Sequence, residues 1–345
     1  MLIASHLHKN MDANKYLQTY VTNKKGYQLT EEDNKKVQIQ GVYQFVYDKL
    51  NSSKYRASKM PEELDSKVKQ KIKYCLTNSL PIHISVPFGG YKKWQFPTYP
   101  NPDWSEVFAI SLLIEYLSPV AAGYEKGVVL EFFSDEIFIA RMNNYPQGDL
   151  DSYNDQFANL VSWFNRCIPK NFVLKSSKIR DQISAKELNK RFDNEIVKLR
   201  KTWDSLPEKE KAYRLAKSER NYQGNLSKLN KDESKKILLE STMVHDAFIF
   251  GDWENGVPWA FDKDMIAIGY RYTGTWGIPL RSSRSSTVQF WIGLGALINK
   301  NISFVPTSLS YNQYLDNIKN LSHKKITIFP KYFTNLQSIP VLKGK

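Results

Sequence analysis

Cysteine is scarce in this chain: among 345 residues only Cys75 and Cys167 occur. Two thiols exclude a disulfide framework and fit a reducing cytoplasm, and no CxxC pair or Cys/His spacing would build a zinc site, so no metal is expected. The familiar nucleotide loops are missing too. There is neither GxGxxG nor a Walker sequence, which excludes nucleotide binding by those turns. A GxSxG elbow is absent, and no histidine stands beside either cysteine to make it a nucleophile by sequence context. No apolar run approaches the roughly 18 residues of a membrane span, so no membrane partner is expected. The opening MLIASHLHKNMDANK has no basic n-region and no sustained apolar h-region, so it does not read as a secretory signal.

What is present belongs to a folded protein: 41% hydrophobic and 13% aromatic residues. A chain of this length fills two lobes more readily than one. The formal charge is +14, and its distribution matters more than its size. Residues 170–236 hold nineteen Lys and Arg against ten Asp and Glu. The two signs are interspersed in KELNKRFDNEIVKLRKTWDSLPEKEKAYRLAKSE, as on a solvated helix laced with i,i+4 pairs. The same stretch is the surface a nucleic acid would use, through counterion release from phosphates.

Local patterns divide the chain into an N-terminal segment (1–35), a Rossmann-like α/β lobe (36–175), a charged helical section (176–248) and a mixed β-rich lobe (249–345). Residues 38–50 carry Val42, Phe45, Val46 and Leu50 on one helical face. Pro61 with Glu62 and Glu63 opens a helix that should stop near Asn78. Residues 82–86 read as a strand, 88–91 as a glycine turn, and Asp103 with Glu106 as a capping box before a long apolar helix. Residues 128–133 form a strand of the kind buried in a parallel sheet. Residues 137–142 read as its return or a hairpin arm, and 149–167 as a helix. A last clear helix spans 232–247, and short strands at 265–272, 276–281, 287–292 and 302–305 belong to the second lobe. The fold class is α/β: a mainly parallel, Rossmann-like sheet flanked by helices, with a helical insertion and a smaller mixed α+β C-terminal lobe.

In such sheets ligands bind outside the carboxyl ends of the strands. Lys92 and Lys93 follow two glycines there, where cations and exposed N–H groups meet an anion, although two solvated lysines would look the same. Ser134 and Asp135 end an apolar strand, and the carboxylate has no strand-stabilising duty, so it is free to orient an amine or hydroxyl. His83 alternates with Ile82 and Ile84 and reads first as a buried, hydrogen-bonded histidine, then as an acid–base group. In LRSSRSSTVQFW, Arg281, Ser283, Arg284 and Thr287 form a dense donor set for phosphate or carboxylate, or else a hydroxyl-rich turn. The pair His245 and Asp246 is weak, because adjacent helical residues do not face each other.

These residues carry a resemblance to the isocyanide (isonitrile) synthase family, which includes the dityrosine-pathway proteins of yeast spore walls. LPIHISVPFGGYKKW is similar to the family's PI-x-F-x-x-P-x-F-P-x-K segment, NPDWSEVFAISLLIEYL to its PD-x-x-E helix, and YEKGVVLEFFSDEIF to its Y-x-P-G-x-x-[IL]-x-x-S-D-G-x-x-F strand. The likeness covers about residues 40–165, including Tyr153 in the next helix. LNKDESKKILLESTMVHDAF resembles the family's basic helix, and IPLRSSRSS stands where the family has I-R-L-S-I-H. The histidine of that strand is missing here, Glu136 replaces the usual glycine, and Pro258-Trp259 comes too early for the P-W-H element. The resemblance implies a transferase that condenses the amine of an aromatic amino acid with ribulose 5-phosphate, with no metal or redox cofactor. On that reading Lys92, Lys93, Arg281 and Arg284 hold the phosphate, Asp135 binds or deprotonates the amine, and Lys93 or its neighbour Lys92 is a catalytic candidate for an imine with the ketose, given burial or a neighbouring cation to lower its pKa. Another sugar- or nucleotide-directed transferase and a nucleic-acid-binding protein are the rival expectations.

Overall fold

Ile82, Ile84 and Val86 alternate with His83, Ser85 and Pro87, and in the computed structural model this run is β1 (Ile82–Pro87), the middle strand of a five-stranded sheet. The structure describes residues 13–22, 28–88, 91–251, 264–270, 277–281, 292–300, 303–316, 324–327, 336 and 338–343. β2 (Val128–Ser134), β3 (Phe172–Lys178), β4 (Ile266–Tyr270) and β5 (Ile278–Leu280) complete the sheet in the order β3-β2-β1-β4-β5, every pair parallel. Ile84 sits opposite Leu130 on one side and Ile266 on the other. One face of these strands, through Ile82, Ile84, Val86, Leu130, Phe132 and Ile268, packs into the main apolar core. The other carries His83, Ser85 and Glu131, with Phe133 and Ala267 packed into a second core. The period-two alternation of strands explains this division.

Helices cover the sheet. α1 (Ala13–Thr22), α2 (Glu31–Leu50) and α3 (Glu62–Thr77) precede β1 and contribute to the main core. α2 consists of two helical segments joined by a kink at Gly41, whose φ of 78° only glycine adopts without strain, and the second segment carries the apolar face read from the sequence. α3 starts and stops as expected. α4 (Trp104–Gly123) begins at the capping box of Asp103 and Glu106 and buries most of its residues. It is long and apolar enough to cross a membrane, and its burial inside the protein accounts for that composition. Each fully buried Leu, Ile, Val or Phe of α4 contributes about 1.5–3 kcal/mol. Gly127, at φ 70°, leads into β2 so close to Asn171 that a Cβ would lie 1.7 Å from its carbonyl oxygen.

Three local readings are corrected. The stretch 137–142 is not a strand arm but part of α5 (Glu136–Asn143), because Phe138, Ile139 and Met142 share one helical face against Phe192 of the second core. The start of the charged section is β3, an edge strand that buries Phe172 and Leu174 and exposes Val173 and Lys175; half-exposed edge strands tolerate lysine. The strands at 265–272 and 276–281 do not belong to a second lobe. They are β4 and β5 of the parallel sheet, where Ile266, Ala267 and Ile268 are covered on both faces.

α6 (Gln147–Asn165) packs on β3, and the short α7 (Ile179–Gln182) leads to α8 (Ala185–Trp203), α9 (Glu208–Asn221) and α10 (Lys231–Phe250). α10 packs against α5, α8 and α9. A second, mixed sheet follows in the order β7-β6-β9-β8, built from β6 (Leu294–Asn299), β7 (Phe304–Leu309), β8 (Lys324–Thr327) and β9 (Ser338–Lys343), with the one-turn α11 (Tyr311–Tyr314) after β7. β6 lies later than the strand expected at 287–292, most of which falls outside the described residues. Gly295 of β6 donates its N–H to Asp103 Oδ1 at 3.1 Å, which fastens this sheet to the start of α4.

Candidate functional site

A cavity of about 750 Å³ opens at the carboxyl ends of β1 and β2. Pro87 ends β1 and Asp135 follows β2, and both line it, together with Tyr91, Lys93, Trp94 and Gln95 from the loop after β1. α5 contributes Ile139, Met142 and Asn143; the end of α9 contributes Lys217, Glu219, Arg220 and Asn221; α10 contributes His245 and Phe248. Ile292, Ser310, Tyr311 and Asn312 close it from the side of the second sheet. The charged helical section is therefore part of the site and not only a solvated face. Among the bonds that tie the exit of α9 to the loop after β1 and to α5 are Lys93 Nζ to Asn221 Oδ1 (2.9 Å), Gln95 Nε2 to the Arg220 carbonyl (2.8 Å) and Gln223 N–H to the Asn143 carbonyl (2.7 Å).

The cavity is lined by cations and carboxyl groups together. Lys93, Lys217 and Arg220 supply positive charge. Burial, with Arg220 and Lys217 as cationic neighbours, pushes the Lys93 ammonium down to about 8. Burial lowers Lys217 as well. Lys217 Nζ lies 2.9 Å from His245 Nε2, while His245 Nδ1 is 3.2 Å from Asp246 Oδ1. Burial holds the imidazole below its ordinary range, so the neutral ring donates from Nδ1 to Asp246 and accepts from Lys217 at Nε2. Asp246 is held in turn by Arg214. His245 and Asp246 do interact here although adjacent on α10, through Asp246 Oδ1, while Oδ2 meets Arg214.

Asp135 lines the same cavity. Burial, and then the neighbouring Glu136, push its carboxyl up to about 7. Asp135 Oδ1 and Asn143 Oδ1 are both buried and have no hydrogen-bond partner among the described residues. Buried acceptors of this kind cost free energy unless a donor meets them, and a bound amine or hydroxyl is such a donor. Tyr91, Trp94, Phe248 and Tyr311 add aromatic surface.

Of the residues singled out in the sequence, the structure brings Lys93 and Asp135 together at this cavity. Lys92 turns the other way. It is fully buried, donates to Ser105 Oγ (2.8 Å) and the Gly293 carbonyl (2.8 Å), and lies 2.8 Å from Glu106 and 3.3 Å from Asp103. The capping box thus also receives a buried cation. Ser134 Oγ donates to Asn154 Oδ1 at 2.8 Å, away from the cavity wall. His83 is a buried, hydrogen-bonded histidine between Glu131 (2.7 Å) and Asp264 (3.2 Å). Arg281 follows β5 at the sheet edge, where its Nε donates to the Arg56 carbonyl at 2.9 Å, and it does not line the cavity. Ser283, Arg284 and Thr287 lie outside the described residues. Sequence reasoning missed Lys217, Arg220, Asn221 and Asn143. The i,i+3 spacing of Lys217 and Arg220 near a helix end was the one available signal. Among the described residues no group of three or more His, Cys, Asp or Glu side chains is placed to hold a metal.

No protein-family model matches the chain, and no curated protein matches it in sequence. Among solved structures it is similar to the PvcA protein from Pseudomonas aeruginosa, with a TM-score of 0.55 and 15% identity, over 87% of this chain and 99% of that one. At that identity the likeness establishes a shared fold.

Proposed function

We propose that this cavity is the active site of an isonitrile-synthase-like enzyme, which joins the amine of an amino acid to a phosphorylated ketose such as ribulose 5-phosphate. The observation that carries the reading is the mixed lining of the cavity, with Lys93, Lys217 and Arg220 for an anionic substrate group and the buried acceptors of Asp135 and Asn143 for an amine. Guanidinium and ammonium groups together suit a phosphate. The aromatic wall of Tyr91, Trp94 and Tyr311 suits an aromatic amino-acid side chain. Its position outside the carboxyl ends of parallel strands is where such folds bind ligands. The sequence resemblance to the isocyanide synthase family and the fold shared with PvcA point in the same direction.

A small-molecule site is favoured over a nucleic-acid groove because many cations of residues 170–236 are already paired. Arg191 pairs with Glu187, Lys198 with Glu195, Arg200 with Glu240, Lys211 with Glu208 and Arg214 with Glu210. The decisive experiment is mass spectrometry of the protein incubated with tyrosine or tryptophan and ribulose 5-phosphate. An isonitrile product is expected, and its absence with both amino acids refutes the specific reaction.

A further inference from the structure

We propose that Lys93 is the nucleophile of the cavity and forms an imine with the carbonyl carbon of an anionic aldehyde or ketone, whose charged group is held by Lys217 and Arg220. The inference rests on the proposed function only in taking this cavity as the reacting site.

The surroundings of Lys93 are those of a reactive amine. Its one hydrogen bond among the described residues goes to the neutral amide of Asn221, and no carboxylate pairs with it. A paired carboxylate would hold the ammonium form, whereas the cations of Arg220 and Lys217 disfavour it and bring the group to about 8. A useful fraction of free amine is then present near neutral pH. Lys217 is differently engaged, since its Nζ is directed to His245 Nε2 at 2.9 Å and that ring is anchored by Asp246. This arrangement positions Lys217 as a donor, and the Arg220 guanidinium, which lines the same cavity, completes an anion site. The same pair of cations thus lowers the basicity of Lys93 in the empty site and recruits the substrate's charge.

The step balances without an oxidant or reductant. The Lys93 nitrogen lone pair attacks the carbonyl carbon, the carbonyl π bond opens, and a proton from nitrogen passes to oxygen to give a carbinolamine. The C–OH bond then breaks and water leaves, with its proton supplied by the Asp135 carboxyl, which burial keeps protonated up to about 7 and which lines the same cavity. The product is an iminium ion. An incoming substrate amine displaces Lys93 from that carbon by transimination and returns the lysine as a free amine.

The test is reductive trapping. The full chain is incubated with cyanoborohydride and, in parallel, with dihydroxyacetone phosphate, ribulose 5-phosphate or dihydroxyacetone, and the modified lysines are mapped by peptide mass spectrometry. The expected result is an adduct on Lys93 from both phosphorylated ketones, about tenfold more than from dihydroxyacetone, since one charge-assisted contact is worth roughly that factor. The excess disappears in Arg220→Gln, and the adduct disappears in Lys93→Arg. Labelling of Lys217 in place of Lys93, labelling scattered over surface lysines without an excess at Lys93, equal labelling by the phosphorylated and unphosphorylated ketones, or no adduct each overturns the proposal. Because sites are mapped in the unaltered chain, the result stands even where a variant folds poorly. Because the readout is an adduct and not an isonitrile, this proposal and the proposed reaction fail independently.

Discussion

Lys92 and Lys93 are neighbours in the chain and occupy opposite environments. Lys92 is enclosed with Ser105, Glu106, Asp103 and the Gly293 carbonyl, so its charge is matched within the protein. Lys93 lies in the cavity with Arg220 and Lys217 and, among the described residues, has no carboxylate partner, so its charge is opposed. One lysine joins the start of α4 to the second sheet; the other is left for a ligand. The comparison teaches that a buried lysine is structural or functional according to whether the protein itself completes its coordination.

The largest expected effect lies on the structural side. Lys92→Met leaves Asp103 and Glu106 buried without their cation, and breaking a buried pair in this way costs about 3–5 kcal/mol. Denaturant unfolding checks it, and a loss below about 1 kcal/mol would break the contrast. Lys93→Met reverses the pattern. Stability should change by less than about 1 kcal/mol, while product formation falls by about 10²-fold or more, as measured by substrate turnover alongside the same unfolding curve.

A smaller effect concerns pH. If Lys93 acts as free amine and Asp135 as acid, turnover rises with pH as Lys93, at about 8, loses its proton and falls as Asp135, at about 7, loses its own. The profile is then a bell with its maximum between those values, and Asp135→Asn removes the alkaline fall. The last effect is on stability through the same carboxyl. Its folded pKa lies above the unfolded one, so its contribution is fully present below about 4 and is lost as pH rises through about 7. Asp135→Asn should therefore gain stability relative to the parent at pH 8 and not at pH 4, which paired unfolding curves will show.

Much of the first lobe was legible in sequence. The capping box at Asp103 and Glu106, the start of α3 after Pro61, the alternation in β1 and the apolar β2 are each set by residues a few positions apart. The strand-end rule pointed to Lys92, Lys93, Ser134 and Asp135 alike, and of these Lys93 and Asp135 line the cavity. Where several structures satisfy the same local pattern, sequence reading failed. Ile137 to Met142 suits a strand as well as a helix, and only packing against Phe192 selects the helix. Phe172 to Lys178 looks like charged surface until it becomes the edge of a sheet.

By itself, then, the sequence determined the capped helices α3 and α4, the alternating β1, the apolar β2 and which polar residues stand at those strand ends, because caps and periodicities are short-range. Only the tertiary structure decided that β4 and β5 join the parallel sheet, that α9 brings Lys217 and Arg220 to the cavity, and that Lys92 turns inward while Lys93 does not. Those outcomes rest on contacts such as Lys92 with Gly293 and Lys93 with Asn221, between residues more than a hundred positions apart. Charge, burial and pairing are properties of the space around a side chain, and that space is made by segments that no local pattern can see.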